Sequence, residues 1–116
     1  MAYVFVSLAS VASAQLPEQF NLECDGIYTD KGKKSRVKIT YQVDITSAQW
    51  CNMNENQSEC FAVRHIEEVT DSTYILDRDN RINRVDGTFW YSVARLSYIQ
   101  GTCRKASFTG FPKPKL

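Results

Sequence analysis

This 116-residue chain has a single histidine, His65, no Gly-x-Ser-x-Gly turn and no Cys-x-x-Cys pair. A nucleophilic triad needs a histidine oriented by an acid beside an exposed serine or free thiol, and no motif here exposes such a serine. His65 reads instead as a partly exposed strand residue near Glu67. Glu67 and Glu68 are adjacent, so on a strand they point to opposite faces and cannot share one substrate as acid and base. Zinc needs closely spaced ligand pairs, which the cysteines do not form. The acidic run from Asp77 to Arg81 is no EF-hand, because Arg81 takes a ligand position, Ile82 stands where glycine is required and Thr88 replaces the terminal glutamate. No catalytic residue, metal ligand or cofactor is assigned from sequence.

Also missing is any apolar run near the ~20 residues that span a bilayer. Residues 1–11 are uncharged and mostly apolar, and Ala12-Ser13-Ala14 supplies the small side chains that signal peptidase accepts. The expectation is a signal peptide over residues 1–14, cleavage before Gln15, and an exported product, periplasmic or secreted, with no transmembrane segment after processing. Residues 15–111 then form one β domain, uninterrupted by repeats or Gly/Ser linkers, and residues 112–116 a flexible tail.

What the chain does have is an even set of cysteines, Cys24, Cys51, Cys60 and Cys103. In an oxidising compartment these favour two disulfides. Three pairings are formally possible. A local bridge between Cys51 and Cys60 would staple the polar segment between them, leaving Cys24 and Cys103 to join the first strand to the last.

Strand signals dominate. In residues 36–45, Val37, Ile39, Tyr41, Val43 and Ile45 alternate with Lys38, Thr40, Gln42 and Asp44, the period of a half-buried strand. Phe20, Leu22, Cys24, Gly26 and Tyr28 alternate likewise, and residues 29–35 between the two runs hold the Asp and Gly of a hairpin turn. Further strands are expected over 49–53, 60–69, 73–78, 81–85, 88–96 and 98–104, with a second hairpin at Asp86-Gly87. About eight short strands and no helix define an all-β fold. A small antiparallel β-barrel is preferred, because a Cys24–Cys103 bridge would bring the end strands together; the alternative is a two-sheet β-sandwich.

The segments Phe20-Asn21-Leu22-Glu23-Cys24-Asp25-Gly26, Trp50-Cys51, Ile82-Asn83-Arg84-Val85-Asp86-Gly87, Gly101-Thr102-Cys103 and Phe108-Thr109-Gly110-Phe111-Pro112 resemble the landmarks of a group of small exported proteins of Gram-negative bacteria. The resemblance implies export and a β-rich fold, and it brings no activity, cofactor or catalytic residue. The stretch holding His65, Glu67 and Glu68 is more charged than that resemblance leads one to expect.

Two features point to binding. Phe89-Trp90-Tyr91 places large rings on both faces of one strand, so at least one ring lies outside the core or in a barrel mouth. That ring is either a platform for a small apolar or glycan ligand or a packing surface for Phe108 and Phe111. Lys31, Lys33, Lys34, Arg36 and Lys38 cluster around the first hairpin, as a solvated tip or as a contact for an envelope component with anionic lipid or sugar groups. Charge is also blocked along the chain: residues 44–79 are net −6 and residues 80–116 net +6, against +1 overall. Nucleic acid is not an expected partner at this near-neutral balance. A binding module and an envelope-associated accessory protein are therefore the two functional readings, with a hydrolase dependent on His65 as the outsider.

Overall fold

The computed structural model describes residues 18–54, 57, 59–60 and 62–112. The expected signal peptide, its cleavage point and residues 113–116 of the tail lie outside the described residues. Alternating patterning produces two strands of twelve residues, β1 (Gln19–Asp30) and β2 (Lys33–Asp44), paired without interruption from Gln19 opposite Asp44 to Asp30 opposite Lys33. The turn between them is tighter than the expected seven-residue stretch. Lys31 and Gly32 alone make it, both at positive φ (52° and 86°), the handedness that follows strand twist.

Seven more strands follow: β3 (Gln49–Asn54), β4 (Arg64–His65), β5 (Glu68–Val69), β6 (Thr73–Asp77), β7 (Asn80–Asn83), β8 (Thr88–Ala94) and β9 (Ser97–Ala106). All pairings are antiparallel, in one sheet ordered β4-β3-β2-β1-β9-β8-β7-β6-β5. The sandwich alternative is not adopted. Among the described residues the count is nine, because the expected strand over 60–69 supplies two two-residue pieces. Ile66 N donates to Ala48 O (2.8 Å) and Glu67 N to Ile75 O (3.1 Å), so this one stretch touches both edges of the curled half-barrel.

Both expected bridges are present, Cys24–Cys103 and Cys51–Cys60. Cys24 stands directly opposite Cys103 in the β1–β9 ladder, so the bridge crosslinks the terminal strands where they pair. Curling brings remote strands into contact over a core built from Phe20, Tyr41, Trp50, Leu76, Ile82 and Phe89, one from each of six strands. The Phe20 and Tyr74 rings lie 5.6 Å apart and those of Tyr41 and Phe89 6.3 Å apart. Gly26 faces Gly101 across β1 and β9, and a Cβ on Gly101 would collide with the Asp25 carbonyl and Gly26 Cα. That close approach requires glycine.

One end of the half-barrel is closed by cations over rings, Lys105 above Phe20 (4.4 Å) and Arg84 above Tyr74 (4.7 Å). The sheet's outer face is divided. Over β1 and β2 near the strand ends, the C-terminal segment seats Thr109, whose hydroxyl accepts from Asn21 Nδ2 and Gln42 Nε2, each at 3.0 Å. Asn21 and Gln42 are thereby buried, although the alternation places them outward. Phe108 and Phe111 pack on each other edge to face at 5.2 Å. Over β3 the outer face is covered by Cys60, bridged to the buried Cys51 opposite Gln42, whereas Ile27 and Trp90 on the outer side of β1 and β8 are exposed.

Candidate functional site

Period-two alternation splits Phe89-Trp90-Tyr91. Phe89 is buried against Tyr41, Tyr91 points inward and is partly buried, and Trp90 stands on the outer face at 40% exposure. Of the three residues expected to form a platform, only Trp90 therefore reaches the open outer face. Its ring partner is not the C-terminal segment but Tyr98, stacked at 4.6 Å with 12° between planes.

Register then assembles residues that the chain scatters. Arg81 lies opposite Trp90, Trp90 opposite Gln100, Gln100 opposite Ile27, and Ile27 opposite Arg36. These five side chains form one cross-strand row over β7, β8, β9, β1 and β2, about 19 Å from end to end at the usual ~4.8 Å strand spacing. Tyr98, Thr29 and Lys34 form the next row on the same face, and Thr88, Thr102, Asp25 and Lys38 the row on the other side.

Two depressions flank the ring stack. One, about 470 Å³, is lined by Trp90 with Arg81, Asn83, Thr73 and Thr88. The other, about 440 Å³, is lined by Tyr98 with Ile27, Thr29, Lys34 and Arg36. Gln100 lines both, and also a third of about 430 Å³ that extends toward Asp25 and Lys38. The ion pairs among the described residues, Arg64–Asp77 at 3.2 Å and Arg104–Glu23 at 2.7 Å, engage no member of these rows. Nor do they join the oppositely charged blocks of the chain. Lys34, Arg36, Lys38 and Arg81 outnumber the carboxylates around them, which among the described residues are Asp25 opposite Lys38, Glu68 beyond Ile75 in the row of Arg81, and Asp86 bonded by Thr88.

The basic hairpin is likewise divided. Lys34 and Arg36 belong to the open outer face, whereas Lys31 sits at the turn, its N–H donating to Leu96 O at 3.3 Å, and Lys33 projects to the other side. Sequence reasoning missed Ile27, Arg81, Tyr98 and Gln100. Alternation alone assigns Tyr98 and Gln100 to one face, but no local signal says what lies opposite them.

At the open end of the inner face, Tyr28, Val37, Tyr91, Val93 and Ile99 line a mouth of about 400 Å³. The residues considered for chemistry hold the fold. Asp77 Oδ1 accepts from Asp79 N (2.8 Å) and Asn80 Nδ2 (3.0 Å) while Oδ2 accepts from Arg64. The His65 carbonyl accepts from Trp50 Nε1 at 3.1 Å, with the residue itself exposed on β4. Among the described residues, no group of three or more His, Cys, Asp or Glu is placed to hold a metal ion.

Groups with displaced titration are structural too. Burial, with Tyr91 and Asp77 adding, raises the Tyr41 phenol well above its usual range. Hydrogen bonds from the Thr88 amide and hydroxyl lower Asp86. Neither group belongs to the outer rows, which offer hydrogen-bond donors, ring faces and positive charge.

The fold and this face define a small, doubly disulfide-linked antiparallel half-barrel with an aromatic and cationic surface that no described residue covers. No family profile, curated protein or solved structure matches the chain. No helix among the described residues is long and apolar enough to cross a membrane.

Proposed function

We propose that this chain is an exported, non-catalytic binding module that holds a glycan on its open outer face. The observation that carries the reading is the Trp90–Tyr98 stack standing between two depressions, each with hydroxyl and amide side chains in its lining. An aromatic ring presents a negative face, which attracts the polarised C–H groups of a pyranose, while neighbouring amides and hydroxyls bond the sugar's own hydroxyls. Gln100, Thr29, Thr73 and Thr88 supply those groups here. Among the described residues, Thr109 and its neighbours cover one part of the outer face and none covers this part, which leaves it free for a ligand. Export is supported by the signal-like residues 1–14 and by two disulfides, which fit an oxidising compartment. Kinship with small exported proteins of Gram-negative bacteria belongs to the same proposal.

The test uses the two tryptophans as internal reporter and control. Trp50 is fully buried and Trp90 is not. Titration with a panel of neutral and acidic oligosaccharides, followed by ¹⁵N–¹H NMR, is expected to shift the Trp90 indole and Gln100 side-chain amide signals and leave the Trp50 indole in place. A panel that leaves Trp90 unmoved at millimolar concentration overturns the reading. The second reading, a small apolar ligand in the inner mouth, is favoured by Val93, which points inward yet is 44% exposed. It predicts shifts at Tyr91, Val93 and Ile99 with an apolar probe instead.

A further inference from the structure

Resting on that glycan reading, we propose that the ligand is an acidic saccharide lying across the strands, its carboxylate or sulfate groups held by Arg36 at one end of the row and Arg81 at the other. Both arginines sit in the row that contains Trp90, Gln100 and Ile27, and each lines the depression on its own side of the ring stack. Neither is committed to an ion pair among the described residues. A guanidinium presents a fork of donors that matches a carboxylate or sulfate in two parallel hydrogen bonds, and it is desolvated more readily than an ammonium. Lys34 adjoins Arg36 in the same depression and adds a second positive charge there.

The placement of the cations argues for a saccharide rather than a bilayer. A membrane surface would engage a hairpin tip. Arg36 and Arg81 instead lie along a sheet face on opposite sides of two rings, with an amide between them. Repeating negative charges separated by pyranose rings match the order cation, ring, amide, apolar side chain, cation. Of the carboxylates around this face, Asp25 stands in the neighbouring row opposite Lys38, Glu68 lies beyond Ile75 in the row of Arg81, and Asp86 is bonded by Thr88; none of them forms an ion pair with either arginine.

The test compares tetragalacturonate with its neutral methyl ester by calorimetry and by the Trp90 indole shift, using the mature protein with both disulfides formed. The acid is expected to bind at least about 10-fold more tightly at low salt, with the preference shrinking as salt is raised. Arg36→Gln and Arg81→Gln are each expected to weaken acid binding about 5-fold while leaving the ester unchanged, the size of an exposed charge-assisted contact. Trp90→Ala is expected to weaken both. Equal affinity for acid and ester, or an acid preference that survives both arginine substitutions, overturns this inference and leaves the glycan reading standing. Loss of Trp90 response to every saccharide overturns both. Sedimentation with vesicles rich in anionic lipid, in the absence of saccharide binding, also overturns the inference, in favour of a membrane contact.

Discussion

Tyr41 on β2 donates its hydroxyl to Asn80 Oδ1 on β7 at 2.8 Å, across 39 residues of sequence and through the interior of the curled sheet. Asn80 passes the contact on to Asp77, Asp77 to Arg64, and the Arg64 guanidinium lies 4.8 Å over the Trp50 ring. This polar chain ties β2 and β3 to β6 and β7, the two sides of the half-barrel. Among the described residues no buried side-chain N or O atom lacks a partner, so removing one link exposes the cost directly.

Asn80→Ala leaves the buried Tyr41 hydroxyl without an acceptor and is expected to cost about 1–3 kcal/mol, whereas Tyr41→Phe, which removes the stranded group itself, is expected to cost about 1 kcal/mol. Urea unfolding with disulfides intact measures both. An Asn80→Ala protein within 0.5 kcal/mol of the parent, about the experimental noise, would show that water takes over the bond.

Two glycines separate steric need from conformational need. Gly32 has φ +86° with nothing within 4 Å of an added Cβ, so Gly32→Ala pays only for the left-handed backbone, about 1 kcal/mol. Gly101→Ala drives a methyl into the backbone of β1 and is expected to cost about 3 kcal/mol or more. Thermal melts of the two variants should differ widely; equal melting points would contradict the tight β1–β9 approach.

The disulfides are unequal. Cys24–Cys103 closes a separation of 79 residues and Cys51–Cys60 one of 9. In the chain-entropy account they contribute about 4.5 and about 2.7 kcal/mol. Paired alanine replacement of Cys24 and Cys103 should therefore destabilise more than that of Cys51 and Cys60. Guanidinium denaturation ranks the two, and the reverse order would remove the role given to the long bridge in holding the terminal strands together.

Asp44 sets an acid limit on stability. Burial works to raise its pKa, but donation from Gln19 Nε2 (2.9 Å) and the Ser47 amide (3.1 Å) outweighs that and holds the carboxyl below its usual value. A folded pKa below the unfolded one, about 3.9, means the stabilisation is complete above about pH 4 and is lost as pH falls through the folded value. Unfolding free energies of the parent and Asp44→Asn should converge as pH drops from about 6 to 2. Curves that stay parallel over that range would assign the acid limb to other carboxylates.

Much of the fold is legible in local patterning. Val37 to Ile45 and Phe20 to Tyr28 announce the two long strands, Asp86-Gly87 announces a turn that Gly87 makes at φ +77°, and the polar stretch between Cys51 and Cys60 points to the short bridge. The segment around His65 resists such reading because its pairing is split between β3 and β6, with two residues given to each. The candidate site is legible only in two separate pieces, Trp90 and the Lys34–Arg36 part of the basic hairpin. The neighbours of Trp90 come from four other strands, and a register is a relation between strands that no single run of residues expresses.

The amino-acid order by itself determined an antiparallel all-β chain with two internal bridges, because alternation of side chains and cysteine number are local quantities. Only the tertiary structure decided that Arg81, Trp90, Gln100, Ile27 and Arg36 share one row, that Phe89 and Tyr91 turn inward, and that Tyr41 meets Asn80. Those outcomes depend on which strands lie side by side and at what offset. Burial of one complete face and the closing of β1 onto β9 select that arrangement.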